Sequence, residues 1–231
     1  MQQLRDKLRG NPLLARVAPF VLFAGLTMFQ GRLGPASAYW VYLFKTLLGV
    51  GLVWLIYPVI AEMRYKISGA AIGVGIAVFI VWVGLDDALR ALGIKDSYPK
   101  MGGAGDPWNP LVAFGANRGL AWMFIGVRIL GSALVVPCLE EVFYRSFVYR
   151  YVVKVDFLSV PLSHFAWTPF LVTSGIFGFA HFEWLAAILC GFAYQGLVVW
   201  KNRLGDAMTA HAITNFLLGL WVVWRGAWHF W

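Results

Sequence analysis

Pro137-Cys138-Leu139-Glu140-Glu141-Val142-Phe143-Tyr144-Arg145 sets two adjacent carboxylates and an arginine inside a long apolar run. A charge at bilayer depth costs roughly 2.5–3.5 kcal/mol even on the gentler insertion scales, so three together need a compensating reason. On a helix, Glu141 and Arg145 stand four apart on one face and can pair. Glu140 is turned about 100° from Glu141 and has no such partner. A buried ion pair that only locks helix packing accounts for Glu141 and Arg145. It leaves Glu140 without a purpose.

Composition decides what surrounds this stretch. The 231 residues are 60% hydrophobic and 13% charged, with 12 Trp and 18 Phe, and the mean hydropathy is +0.70. Soluble domains carry about 25% charged residues, so the chain reads as an integral membrane protein. Its net charge of +8 does not point to nucleic acid. The 19 basic residues fall mostly in short connections between apolar runs, where they orient the chain and meet anionic lipid. Cys138 and Cys190 lie inside apolar runs and fit no disulfide or metal spacing. No cleavable signal is evident.

The expected fold is all-α, a transmembrane helical bundle of about seven spans forming one domain over 1–231. A basic lead, Met1 to Arg16, precedes a short span at Val17–Phe29. Gly31 to Pro35 is a turn, Ala38–Ile60 a span, and Gly69–Leu85 a glycine-spaced span suited to close helix approach. The polar region 86–118 should hold a short surface helix at Asp86–Leu92 and an irregular loop over Lys95–Pro110. Within that loop, Asp106-Pro107-Trp108-Asn109-Pro110 reads as an aromatic plug or a plain interfacial anchor. Gly119–Val136 is a span broken by Pro137, and Cys138–Val153 continues it as a helix. Thr168 caps a helix that has Pro169 in its first turn and runs to His181. Trp184–Trp200 and a last span from Asp206 to Trp224 complete the bundle. The catalytic core is expected over 118–224.

Loop charge supplies an orientation. With the N-terminus cytoplasmic, the inside connections hold Arg5, Lys7, Arg9, Arg16, Arg64, Lys66, Arg150, Lys154, Lys201 and Arg203. The outside segments hold Arg32, Arg90, Lys95, Lys100, Arg118 and Arg225, and the largest is balanced by aspartates. The bias follows the positive-inside rule.

After Pro137 the apolar runs also contain His181, His211 and Asn215. His211 and Asn215 are four apart and share a helix face. At ~1.5 Å per residue, Glu140 lies roughly 21 Å from the basic turn at Lys154 and His181 roughly 20 Å past Thr168. His211 and Asn215 lie roughly 8 and 14 Å past Asp206. All four can meet in one cavity in the cytoplasmic half of the bilayer. Glu140 there is a candidate general base, His181 can hold the same water, and His211 with Asn215 can donate to an oxyanion. Glutamate and histidines also suit zinc, although the two-histidine metalloprotease pattern is absent. Ser132 and Ser146 have no obvious base, which leaves Cys138 as the nucleophile worth testing. Lys45 and Arg128 can pair internally or snorkel, and Arg128 can neutralise Glu140 or Glu141. His164 and His229 read as interfacial, and Phe177 as packing more than substrate contact.

Glu140-Glu141-x-x-x-Arg145, Phe177-x-x-x-His181 and His211-x-x-x-Asn215, in that order, resemble the three motifs of the CAAX prenyl protease family, the CPBP intramembrane glutamic endopeptidases. The resemblance covers about Gly119 to Trp224. Tyr144 stands where many members have phenylalanine, and Ser146 where glycine is common. The resemblance implies a metal-independent endopeptidase without a cofactor. In it Glu140 and His181 hold the water, His211 and Asn215 form the oxyanion hole, Glu141 and Arg145 orient the site, and Phe177 is a weak substrate contact. It implies membrane lipid and a peptide or lipidated protein as partners, not confined to prenylated substrates in bacterial members. The chain is further similar to CAAX-protease-like proteins accompanying bacterial exosortase sorting systems, which implies a bacterial inner membrane. Two rivals stand beside this reading, a non-catalytic scaffold or immunity-type binding protein and a zinc-dependent membrane protease.

Overall fold

Apolar stripes turned outward give the bundle its plan. The computed structural model describes residues 1–34, 36–94 and 108–231. On the second long helix Trp40, Phe44 and Leu47 face outward, while Tyr39, Tyr42, Lys45 and Gly49 are buried. On the next, Ile72, Ile76 and Ile80 face outward over buried Ala71, Gly75 and Val78. A stripe of large apolar residues on the outside is tolerated because hydrocarbon, not water, covers it.

The described residues form helices and no strand. Helix α1 (Gln2–Arg9) is a short basic lead. Helix α2 (Pro12–Gly25) starts at Asn11, whose side chain accepts from the Leu14 N–H, with Pro12 in its first turn. Helices α3 (Ser37–Ile56) and α4 (Gly69–Ala91) follow, then a single turn, α5 (Pro110–Ala113). Helix α6 runs from Arg118 to Val153, 36 residues. Helices α7 (Trp167–Phe179), α8 (Trp184–Lys201) and α9 (Leu204–Arg225) close the chain. Helix α9 packs along α4 and against the middle of α6, and α7 and α8 form an antiparallel hairpin.

Among the described residues six helical stretches, not seven, are long and apolar enough to cross a membrane. The missing one is α7. Its 13 residues span about 20 Å against a hydrocarbon core of ~30 Å. It is a partial span, and it stops at Phe179 with His181 in the following turn, not within the helix. Its N-cap is Ala166, not Thr168. Helix α9 likewise begins at Leu204, before Asp206. Asp206 lies inside the first turn, where it pairs with Arg203 and accepts from the Ser68 hydroxyl at 2.6 Å. The expected surface helix at Asp86–Leu92 is the last part of α4.

Pro137 does not break α6. A π-turn at Gly131–Val135 precedes it, and the extra residue in that turn accommodates the missing N–H and the ring without ending the helix. A second π-turn covers Val142–Val148.

Side-chain and backbone bonds gather the connections at two opposite ends. At one end Arg16 and Arg150 both meet Glu62, Lys66 N–H donates to Gly205 O, and Ser163 N–H donates to Asn202 Oδ1. At the other, His229 meets Asp86 at 3.0 Å. Trp108 packs on Tyr39, Tyr42 and Trp231 there. The plug reading therefore holds for Trp108, whose indole donates to Ala38 O. Asp106, Pro107, the expected loop from Lys95 and Pro35 of the first turn lie outside the described residues.

Candidate active site

The charged stretch sits where α6 departs from regular winding. Between the two π-turns lies Val136–Glu141, and this segment packs against α9. Glu141 and Arg145 pair as their spacing predicts, Oε2 to Nε at 3.2 Å, and both are essentially inaccessible. The other oxygen of Glu141 reaches His211 Nδ1 on α9 at 2.8 Å. One buried carboxylate thus ties an arginine of its own helix to a histidine of another. The arginine is further held by rings: its guanidinium lies 4.3 Å from the Phe177 ring centre.

Phe177 joins the two histidines. Its ring centre is 4.6 Å from that of His181 and 6.1 Å from that of His211. His181 Nδ1 is 2.7 Å from the Phe177 carbonyl oxygen. A carbonyl only accepts, so Nδ1 carries the hydrogen, and in the neutral ring Nε2 is left with a free lone pair. His211 is stacked on Tyr194 at 5.0 Å between ring centres. Tyr194 in turn donates to Thr214. Trp82 of α4 meets His181 edge-on, 6.0 Å between centres.

Asn215 uses Nδ2 to donate to Ser132 O at 2.9 Å. Ser132 lies in the first π-turn, where the widened winding changes which carbonyls are taken up by the helix. The amide group has two hydrogens, so one remains for a second acceptor. Glu140, next to Glu141, makes no hydrogen bond or ion pair with any described residue, and its Oε2 is buried without a partner. Lys45 of α3 and Tyr144 lie within its electrostatic range.

The remaining candidates are placed elsewhere. Cys138 hydrogen-bonds with the Tyr65 hydroxyl and with Leu134 O, with no histidine bonded to it. Ser132 donates its hydroxyl to Ile129 O. Lys45 is neither snorkelling nor ion-paired among the described residues: it donates to Thr27 and Gln30. Arg128 pairs with neither glutamate and lies over the rings of Tyr42, Trp108 and Trp231.

Ser146 belongs to a polar lock that the sequence did not disclose. Arg16 Nη2 is 2.6 Å and Arg150 Nη2 2.9 Å from Glu62 Oε1, and Ser146 donates to the same oxygen. Burial pushes the Glu62 carboxyl up, but Arg16, the Ser146 hydroxyl and the hydrogen bonds from Arg16 outweigh it and hold the group at about 2. The only signal in the sequence was a lone acid in a basic connection. Tyr194, Trp82 and the Ser132 carbonyl were also unforeseen, because nothing in their spacing marks them.

Among the described residues, no group of three His, Cys, Asp or Glu side chains is arranged to hold a metal ion. The fold and the site define an integral membrane protein of helices with a cluster of acid, histidine and amide side chains inside the bundle. Residues 107–217, which contain every candidate catalytic residue, match the family model described as Rce1-like, type II CAAX prenyl endopeptidase, and this match supports the CAAX protease (CPBP) family for that segment. Neither a curated protein nor a solved structure matches the chain.

Proposed function

We propose that the protein is a metal-independent glutamic endopeptidase that cleaves a peptide bond of a membrane-associated substrate with Glu140 as the general base. The observation that carries this reading is the contrast between neighbours: Glu141 is charge-paired with Arg145 and bonded to His211, whereas Glu140 makes neither an ion pair nor a hydrogen bond among the described residues and has Oε2 buried. The catalytic core is 118–224. The protein sits in a bacterial inner membrane with its N-terminus cytoplasmic.

Glu140 accepts a proton from water while His181 Nε2 accepts a hydrogen bond from the same water, its Nδ1–H being committed to Phe177 O. The hydroxide adds to the amide carbon and the carbonyl π electrons move to oxygen. The free amide hydrogen of Asn215 and an N–H from His211 Nε2 stabilise that oxyanion. His211 offers this N–H when its ring carries both protons, and the Glu141 carboxylate at Nδ1 is then its counter-charge. The intermediate collapses, the C–N bond breaks, and Glu140 returns its proton to the departing amine. Phe177 acts through packing, holding both imidazole rings and the Arg145 guanidinium.

The test is Glu140→Gln in membranes expressing the full chain, with membrane peptides compared by proteomics. Substrate processing should fall by at least ~10²-fold, the usual contribution of a general base, with the thermal unfolding midpoint unchanged. Cleavage retained by Glu140→Gln would overturn the mechanism, and retained biological activity without cleavage would favour a binding protein. Zinc in the purified protein together with chelator-sensitive cleavage would favour the metal-dependent rival.

A further inference from the structure

Trp54 and Tyr57 end α3 beside an open groove of about 560 Å³, whose apolar wall includes Val50, Val53, Leu134 and Val135. The groove runs between α3 and the first π-turn of α6, so its wall lies in the membrane-spanning part of the bundle. Its rim is basic. Arg5 of α1 lines it, stacks on the Trp54 indole with its guanidinium 4.6 Å from the ring centre, and donates from Nη2 to Trp54 O. Arg5 Nε is buried and has no acceptor. A second guanidinium, Arg64, lies 4.0 Å over the Tyr57 ring and donates to the carbonyls of Tyr57 and Met63.

No carboxylate among the described residues pairs with either arginine: Asp6 is taken by Arg9 and Glu62 by Arg16 and Arg150. Backbone carbonyls satisfy hydrogen bonds here but leave two full positive charges uncompensated. They stand at the end of a hydrocarbon-lined slot, on the face where the basic connections gather. A chain with an anionic head fits both parts at once: acyl carbons against the valines and Leu134, phosphate oxygens against the buried Nε–H and its neighbours. A neutral or cationic head leaves the rim charge unanswered. We propose that this groove is a binding site for an anionic glycerophospholipid, with Arg5 as the headgroup ligand.

The site is separate from the candidate catalytic residues, although Val135 precedes Glu140 by only five positions, about 8 Å along α6. Lipid bound there braces the π-turn whose Ser132 carbonyl holds Asn215. The assignment does not depend on the protein being a peptidase.

The experiment uses the purified full-length protein in detergent, with native mass spectrometry for retained lipid and thermal unfolding for its effect. Phosphatidylglycerol should be retained and raise the unfolding midpoint more than phosphatidylcholine of the same chains. Arg5→Gln should abolish that preference, Arg5→Lys should keep most of it, and Val53→Trp, which fills the groove, should remove retention of both lipids. Arg32→Gln, an exposed position outside the groove, serves as the control and should behave as the parent. Equal retention of the two lipids would overturn the proposal, as would a preference that survives Arg5→Gln. So would an effect reproduced by inorganic phosphate alone, or a groove emptied of phospholipid by a farnesylated peptide, which would make it a substrate channel.

Discussion

Glu141 holds two side chains of the site, one through each oxygen, and its replacement separates the roles of its neighbours. Glu141→Gln removes the negative charge between Arg145 and His211, leaving a cation with an exposure of 1% and no counter-ion. Breaking such a pair from one side costs about 3–5 kcal/mol, most of it the penalty of the stranded charge. A Glu141→Gln, Arg145→Gln double variant should therefore recover much of the unfolding midpoint that the single variant loses, while cleavage remains lost in both. Equal midpoints for the two variants would show that the pair is not coupled. Glu62 permits a pH prediction. Its carboxyl is held at about 2 against an ordinary 4.5, so the folded state binds the proton more weakly than the unfolded state. Its stabilisation is complete above pH 4.5 and disappears as pH falls toward 2, on the order of 3 kcal/mol in all. Glu62→Gln should flatten the acid limb of stability measured by thermal unfolding over that interval.

At the scale of elements, the contact between α4 and α9 depends on one missing side chain. A Cβ at Gly75 would lie 2.7 Å from Ala210 O and 2.9 Å from Ile213 Cβ. Thr214 also donates its hydroxyl to Gly75 O. The obstructing oxygen is backbone, so the helices must part, and they carry His211 and Asn215 with them. Gly75→Val should lower stability by about 1–3 kcal/mol and reduce cleavage. Gly73→Ala, whose Cβ would meet nothing within 4 Å, should do neither. The π-turns work at the same scale. Reading Pro137 as a helix break was reasonable from the residue alone, but Gly131–Val135 takes up the mismatch one turn earlier and frees the Ser132 carbonyl for Asn215. A five-residue change in winding has no sequence signature comparable to an amphipathic stripe. That is why the helix was legible as two pieces and not as one.

For the whole molecule, the partial span α7 sets the topology. Helices α7 and α8 enter and return as a hairpin, so α9 starts on the face shared by Glu62, Lys66, Ser68 and Gly205. The chain's two ends consequently lie on opposite faces. Reporter fusions should place the N-terminus in the cytoplasm and the residue after Trp231 outside, as the loop charge requires. Both termini on one side would refute this arrangement. The hairpin also explains why His181 lies within the bundle: α7 is too short to carry it through.

Composition and spacing alone were enough for a helical membrane protein, the pairing of Glu141 with Arg145, and a shared face for His211 and Asn215. These follow from solvent exclusion in lipid and from 3.6-residue periodicity, both local rules. Only the tertiary structure could decide that Glu141 also reaches His211, that Phe177 joins the two histidines, that Asn215 is held by a π-turn carbonyl, and that Glu62 locks Arg16 to Arg150. Each of these contacts joins residues far apart in the chain or depends on an irregular turn. Their distances are set by helix packing, which no local pattern encodes.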